Sequence, residues 1–109
     1  MSIRILPAVV LLTLAPAAIS YASPQSTAAF KKLQALAGDW EGKDEKGQPA
    51  KSTFKSIVAN TAVMETLSPP GMEDMVTVYS LDGDGIALIH FCPTNNQPRM
   101  RVVPRPACA

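Results

Sequence analysis

A histidine and a cysteine, His90 and Cys92, lie two positions apart in this chain. Side chains two positions apart in an extended segment share a face, so this imidazole and thiol could bind a metal or act as base and nucleophile. A zinc site needs three or four protein ligands, and Cys108 is the only other histidine or cysteine. Neither a third catalytic group nor an oxyanion site is evident. The sequence therefore favours a hydrogen-bonded histidine inside the fold or near its rim, and predicts no catalytic residue, metal or cofactor.

Arg99 and Arg101 form a second pair, because alternation along a strand places both on one face. Two guanidinium groups can bind a carboxylate through charge-assisted hydrogen bonds. One interpretation is that an arginine holds the head group of a ligand whose acyl chain lies in an apolar interior. The other is that an arginine pairs with Glu65, Glu73 or Asp74 at a sheet face.

The first 22 residues are typical of a signal peptide. Met1–Arg4 is a short basic start, Ile5–Ile19 is an apolar run, and Ser20 and Ala22 are small residues at positions −3 and −1 of a cleavage site. The alternative is an uncleaved anchor, but this run of 15 positions is shorter than the roughly 20 that a membrane span needs. The prediction is a periplasmic or extracellular protein with no stable membrane insertion after cleavage.

An oxidising compartment permits a disulfide between Cys92 and Cys108. The bond would close a loop of 16 residues and could stabilise the fold by about 3 kcal/mol. Two separate thiols are the alternative, since Cys108 is the penultimate residue. The sequence leaves both interpretations open.

The charge balance argues against nucleic acid as a partner. Arg4 is the only charged residue of the first 22, so the remaining 87 residues carry nine basic and nine acidic side chains. A net charge of zero provides no electrostatic attraction for nucleic acid or an anionic membrane surface.

Hydrophobic periodicity predicts one helix followed by six strands. The helix is expected to begin at Ser26 or Thr27 and to run to about Ala37, with Gly38 at its end. Alternating and β-branched runs predict strands at residues 39–43, 51–58, 62–67, 75–81, 86–92 and 99–103. Asp82–Gly85 reads as a hairpin turn, because glycine and aspartate tolerate positive φ. Short connections predict an antiparallel up-and-down meander, a barrel or part of one, whose open end the helix can plug.

Several segments resemble a known superfamily. Gly38-Asp39-Trp40, after a short helix, looks like the Gly-x-Trp start of calycins, which include lipocalins and fatty-acid-binding proteins. Residues 75–84, His90-Phe91-Cys92 and residues 96–100 together resemble a family of exported bacterial proteins of unknown activity with a lipocalin-like domain. The resemblance implies a mainly β fold, a partial lipocalin-like barrel with one N-terminal helix. Members of that family continue with further strands, so the chain is expected to be truncated at its C-terminus.

These observations predict a signal peptide at residues 1–22 and an incomplete lipocalin-like barrel at residues 23–109. The expected function is the binding of a small apolar or amphipathic ligand in the barrel. The candidate ligand-binding residues are Trp40, Tyr79, His90, Cys92, Arg99 and Arg101. Two alternatives stay open, a thiol- and histidine-dependent enzyme or redox protein using His90 and Cys92, and a truncated fragment without function.

Signal cleavage can be tested on protein purified from bacteria that express the full chain. We expect an intact mass and an N-terminal sequence that begin at Ser23, because Ala22 provides the small residue before the cut. A purified protein that retains Met1 would contradict cleavage after Ala22.

Overall fold

The structure, a computed structural model, describes residues 21–106. One helix precedes six strands: α1 (Pro24–Gln34), β1 (Gly38–Lys43), β2 (Pro49–Ile57), β3 (Ala62–Ser68), β4 (Met75–Asp82), β5 (Gly85–Phe91) and β6 (Arg99–Val102). The strands form one antiparallel sheet in chain order, with β1 and β6 at its edges. The predicted mainly β meander is confirmed, as an open sheet consistent with a partial barrel.

Helix α1 begins earlier than the sequence predicted. Its N-cap is Ser23, whose Oγ accepts a hydrogen bond from the backbone N–H of Ser26 at 3.0 Å. Pro24 follows at the first helical position, where its missing N–H costs nothing. Ser26 is fully buried, and its hydroxyl donates to the carbonyl of Gly83 at 2.9 Å. The prediction of Ser26 or Thr27 as the cap was therefore wrong, because tertiary contact occupies Ser26.

The end of the helix also differs from the prediction. Helix α1 ends at Gln34, whereas a run to Ala37 was expected. Gly38 begins β1 with a φ of 129° and does not cap the helix. Leu36 and Ala37, which the predicted helix included, lie in the connection between α1 and β1.

Helix α1 lies on one face of the sheet, which we call the inner face. Phe30 packs against Val63 and Ile86, and these three buried residues form the centre of the core. Leu33 and Tyr79 pack around them. Both faces of an open sheet are accessible to solvent unless another element packs on them. Helix α1 is the element whose apolar side chains shield the inner face from water.

Two turns at the same end of the sheet hold α1 in place. The backbone N–H of Ser23 and the hydroxyl of Ser26 both donate to the carbonyl of Gly83 in the β4–β5 turn. Near the other end of the helix, Gln34 Nε2 donates to the carbonyl of Asn60 in the β2–β3 turn at 2.9 Å. The helix therefore covers the end of the inner face that carries these turns.

The β4–β5 turn is the predicted hairpin. Asp82 pairs with Gly85, so only Gly83 and Asp84 lie between the strands. Gly83 has a φ of 58° and Asp84 stays outside the left-handed region, a pattern typical of a type II′ turn led by glycine. Gly85 is required for a steric reason and not for its φ angle, because a Cβ there would lie 2.7 Å from Cζ of Arg101.

The β2–β3 turn carries backbone strain that the sequence did not predict. Val58, Ala59 and Asn60 have φ values of 50°, 51° and 64°. This left-handed region disfavours residues with a Cβ, and a β-branched valine most of all. The pairing of Ile57 with Ala62 requires the chain to reverse within these few residues.

Two sequence-based expectations lie wholly or partly outside the described residues. The apolar run of the signal segment falls within residues 1–20, and Cys108 falls within 107–109, so neither signal cleavage nor the disulfide is tested. Within residues 21–106, no helix is long and apolar enough to cross a bilayer.

The core contact of α1 provides a stability test. Phe30→Ala is expected to destabilise the fold by about 3–5 kcal/mol, because it removes a 4% exposed side chain from the centre of the core. Lys31→Ala, at an exposed position of the same helix, is the matched control and should change stability by less than about 0.5 kcal/mol. Denaturant unfolding followed by circular dichroism measures both, and equal midpoints would show that α1 is not docked.

Candidate ligand-binding site

An apolar groove runs between α1 and strands β4 to β6, with a volume of about 440 Å³. We call it the α1 groove. From the helix side it is lined by Ala29, Lys32, Leu33 and Leu36. From the sheet side it is lined by Tyr79, Ile86, Leu88, Val102 and Pro104. Only Lys32 and Tyr79 bring polar side-chain atoms to this lining, and an exposed lysine can lay its hydrocarbon stem on apolar surface while its ammonium stays in water.

Tyr79 connects the α1 groove with a polar network on the inner face. Its ring lines the groove, and its hydroxyl donates to Glu65 Oε2 at 2.6 Å. The other carboxylate oxygen, Oε1, accepts from the hydroxyl of Ser52 at 3.1 Å. Glu65 therefore lies within reach of a molecule that extends past Tyr79.

Three polar side chains form a row across the inner face, which we call the polar row. Glu65 on β3 pairs with Thr77 on β4, and Thr77 pairs with His90 on β5. Thr77 is only 9% exposed, and its Oγ1 lies 2.8 Å from Nδ1 of His90. This hydrogen bond forms in either tautomer of the imidazole. His90 is thus the hydrogen-bonded interior histidine that the sequence favoured.

The hydroxyl of Tyr79 is held in its protonated form. Burial, the hydrogen bond to Glu65 and the negative charge of that carboxylate raise the pKa of Tyr79 well above its ordinary value. The phenol is therefore a persistent donor to Glu65 near neutral pH.

The two arginines lie on the opposite, outer face. Arg101 pairs with Ala87 and Arg99 with Ile89 in register, one position away from the residues that face α1. Arg101 Nε donates to Asp82 Oδ2 at 2.8 Å, and its Nη2 donates to Asp84. Neither arginine lines the α1 groove. Arg101 therefore forms ion pairs within the protein, as the second interpretation of the arginines expected. Its partners are Asp82 and Asp84 of the β4–β5 turn, and not Glu65, Glu73 or Asp74.

The ion pair between Arg101 and Asp84 shifts the pKa values of both side chains. The hydrogen bond and charge of Arg101 hold the pKa of the Asp84 carboxyl below its usual value. The hydrogen bonds from Arg101 to Asp84 and Asp82 raise the pKa of the guanidinium in turn. All three side chains are largely solvated, so water screens the stabilisation.

Cys92 lies just beyond β5, where it forms an isolated bridge with Asn96. Its Sγ accepts a hydrogen bond from Oγ1 of Thr94 at 3.2 Å, and hydrogen bonds from Thr94 lower the pKa of the thiol. The hydrogen bond of His90 goes to Thr77, so the structure does not join this imidazole to Cys92 as base and nucleophile. Residues 21–106 also contain no group of three or more His, Cys, Asp or Glu side chains placed to hold a metal.

Trp40 is hydrogen-bonded to the connection between α1 and β1. Its indole Nε1 donates to the carbonyl of Leu36 at 2.7 Å, and Leu36 lines the α1 groove. The indole is 51% exposed and does not itself line the groove. Trp40 therefore supports the site from outside it.

Comparison of the chain with family models, curated proteins and solved structures finds no significant match. The described residues belong to the class of mainly β proteins, with an open, six-stranded antiparallel sheet and one helix on its inner face.

Sequence reasoning missed Glu65, Ser52 and Thr77 as members of the site. One signal was present, because alternation along residues 62–67 puts Glu65 on the same face as Val63 and Leu67. A carboxylate between two apolar neighbours on one face of a strand is unusual in a core. Ser52 and Thr77 had no such signal, since only the register brings them next to Glu65 and His90.

The pKa of Tyr79 tests the polar network. Tyr79 is the only tyrosine in a Tyr21→Phe background. In that background, Glu65→Gln is expected to lower the pKa of Tyr79 toward its ordinary value of about 10, because the substitution removes a negative charge beside the phenol. The near-ultraviolet absorbance of tyrosinate measures this pKa. Glu73→Gln is the control, since Glu73 is an exposed acid outside the network.

The stability of the fold should follow the same titration. The unfolded chain ionises Tyr79 at about pH 10 whereas the folded chain does so at higher pH, so the free energy of unfolding should fall as pH rises above about 10. This fall should be smaller in Glu65→Gln. An unchanged Tyr79 titration in that variant would contradict the hydrogen bond.

Proposed function

We propose that this chain is an exported, lipocalin-like binding protein that holds a small apolar or amphipathic molecule in the α1 groove. The observation that carries the proposal is the groove itself, a concave site lined almost wholly by hydrocarbon. Its volume of about 440 Å³ lies within the ~300–1,000 Å³ range of ligand pockets. A fold alone does not establish a function, so the argument rests on this site.

The position of the α1 groove supports the same proposal. It lies against the core residue Ile86 and is bounded by both α1 and the sheet, so its walls belong to elements that the core already orders. Ordered walls lower the conformational entropy that a ligand must remove on binding. Tyr79 then adds a polar boundary at one side of the groove, which suits an amphipathic molecule.

Export is part of the proposal and rests on the signal-like first segment of the sequence. In a periplasmic or extracellular space, a protein with this groove could carry or sequester a sparingly soluble molecule. The resemblance to lipocalin-like proteins is consistent with that role.

The groove can be tested with N-phenyl-1-naphthylamine, a neutral dye whose emission rises in apolar surroundings. We expect saturable binding to the purified protein, and Ala29→Phe should weaken it by about tenfold or more, since the new ring fills the groove. Ala28→Phe is the matched control, because it adds the same ring at the neighbouring exposed position of α1. Circular dichroism establishes that both variants fold.

Two results would overturn the proposal. One is the absence of saturable dye binding to the folded protein. The other is equal weakening by Ala28→Phe and Ala29→Phe. The double variant Arg99→Ala/Arg101→Ala should bind the dye as the parent does, because both arginines lie on the outer face.

A further inference from the structure

We propose that Glu65 selects a ligand with a cationic amine head group, whose apolar tail lies in the α1 groove. This inference rests on the proposed function and specifies its ligand class. It is opposite in charge to the carboxylate ligand suggested by the arginines.

Charge is distributed unevenly between the two faces of the sheet. Every lysine and arginine of the six strands lies on the outer face: Lys43, Lys51, Lys55, Arg99 and Arg101. The acidic strand residues Asp39, Glu41 and Asp82 share that face by the same register. Glu65 is the one charged strand residue of the inner face. That face therefore carries a single negative charge beside an apolar groove.

Glu65 has no cationic partner among the residues that the structure describes. Within residues 21–106, the carboxylate forms no ion pair with a lysine, arginine or histidine at 4.0 Å or less. Its hydrogen bonds come from two neutral hydroxyl groups, those of Ser52 and Tyr79. Glu65 is half-buried and holds its negative charge with hydrogen bonds alone, so a cationic ligand could supply a counter-charge that the described residues do not.

The carboxylate of Glu65 can accept further hydrogen bonds. A carboxylate has about four lone-pair positions, and each oxygen of Glu65 accepts one named bond. Both oxygens thus keep capacity for another donor. A primary ammonium has three donors, so it can bind Glu65 and retain donors for a neighbouring group or for water.

The carboxylate of Glu65 belongs to a row of residues that lies next to the α1 groove. Tyr79 and Leu88 are paired on β4 and β5 and both line the groove. Thr77 and His90, paired with each other, follow two positions along the same strands, about 7 Å farther. Glu65 continues that second row on β3. A molecule seated in the groove therefore reaches the polar row with a short extension past Tyr79.

Lys32 offers the competing arrangement, in which its ammonium holds an anionic head group. It lines the groove from the helix, but it is exposed, and a solvated ammonium contributes little selectivity. Glu65 is half-buried and held by two hydrogen bonds, so its position is better defined. The structure therefore favours recognition of a cation over recognition of an anion.

The experiment compares three head groups on one tail. Decylammonium, decanol and decanoate compete with N-phenyl-1-naphthylamine for the purified protein at neutral pH, below their aggregation concentrations. We expect decylammonium to displace the dye at a concentration about tenfold lower than decanol does, because its hydrogen bond to Glu65 joins two charged groups. Decanoate should be the weakest competitor, because its charge repels that of Glu65. Glu65→Gln should bring decylammonium to within about twofold of decanol.

Glu73→Gln is the matched control, since it removes the same charge from an exposed position outside the site. It should keep the preference for decylammonium. A preference lost equally in both variants would overturn the proposal, because it would reflect net charge alone.

Carbodiimide coupling gives a second measurement that does not depend on a variant that folds. Here decylamine and the activated carboxyl form an amide, the carbodiimide is hydrated to a urea, and peptide mass mapping locates the product. We expect the amide mainly at Glu65, and a large excess of decanol should reduce its yield because decanol occupies the same groove. Even labelling of all exposed acids would overturn the proposal.

The remaining outcomes separate this inference from the proposed function. Dye binding with a preference for decanoate, or a preference for decylammonium that survives Glu65→Gln, would overturn cation selection and leave the α1 groove as a binding site. Failure of the folded parent protein to bind the dye or any decyl compound would overturn both.

Discussion

The packing of Phe30 against Val63 and Ile86 is the contact on which the rest of this structure depends. A single open sheet has two faces and two edges, and a short chain has little apolar surface with which to cover them. Helix α1 cannot be stable alone at 11 residues, and the inner face cannot stay dry without it. Each element therefore stabilises the other, and the hydrogen bonds to Gly83 and Asn60 orient the contact.

The same docking creates the candidate site. Because α1 covers the end of the inner face that carries the two turns, the groove forms along its flank toward β6. The side chains just beyond the groove are polar and belong to the row of Glu65, Thr77 and His90. An apolar groove and a negatively charged polar row thus adjoin on one face, with Tyr79 belonging to both.

Particular residues show how far sequence reasoning reached. Alternation and turn chemistry predicted all six strands to within two residues at each end, because these signals are local. His90 was rightly interpreted as a hydrogen-bonded interior residue, but its partner Thr77 could not be found without the register. Ser26 was assigned to a cap although it is buried against Gly83, 57 positions away. The two arginines were rightly placed on one face together, while the position of that face relative to the groove remained open.

Local patterns predicted the mainly β class, the strand order, the hairpin at Gly83 and the alternation that puts Glu65 with Val63 and Leu67. These follow from short-range patterns, since the period of a strand and the φ of a turn depend on neighbouring residues. Only the tertiary structure decided which face α1 covers, and with it the groove, the outward position of Arg101 and the pairing of Tyr79 with Glu65. These depend on contacts between residues far apart in the chain, which register and helix docking set together and no local pattern encodes.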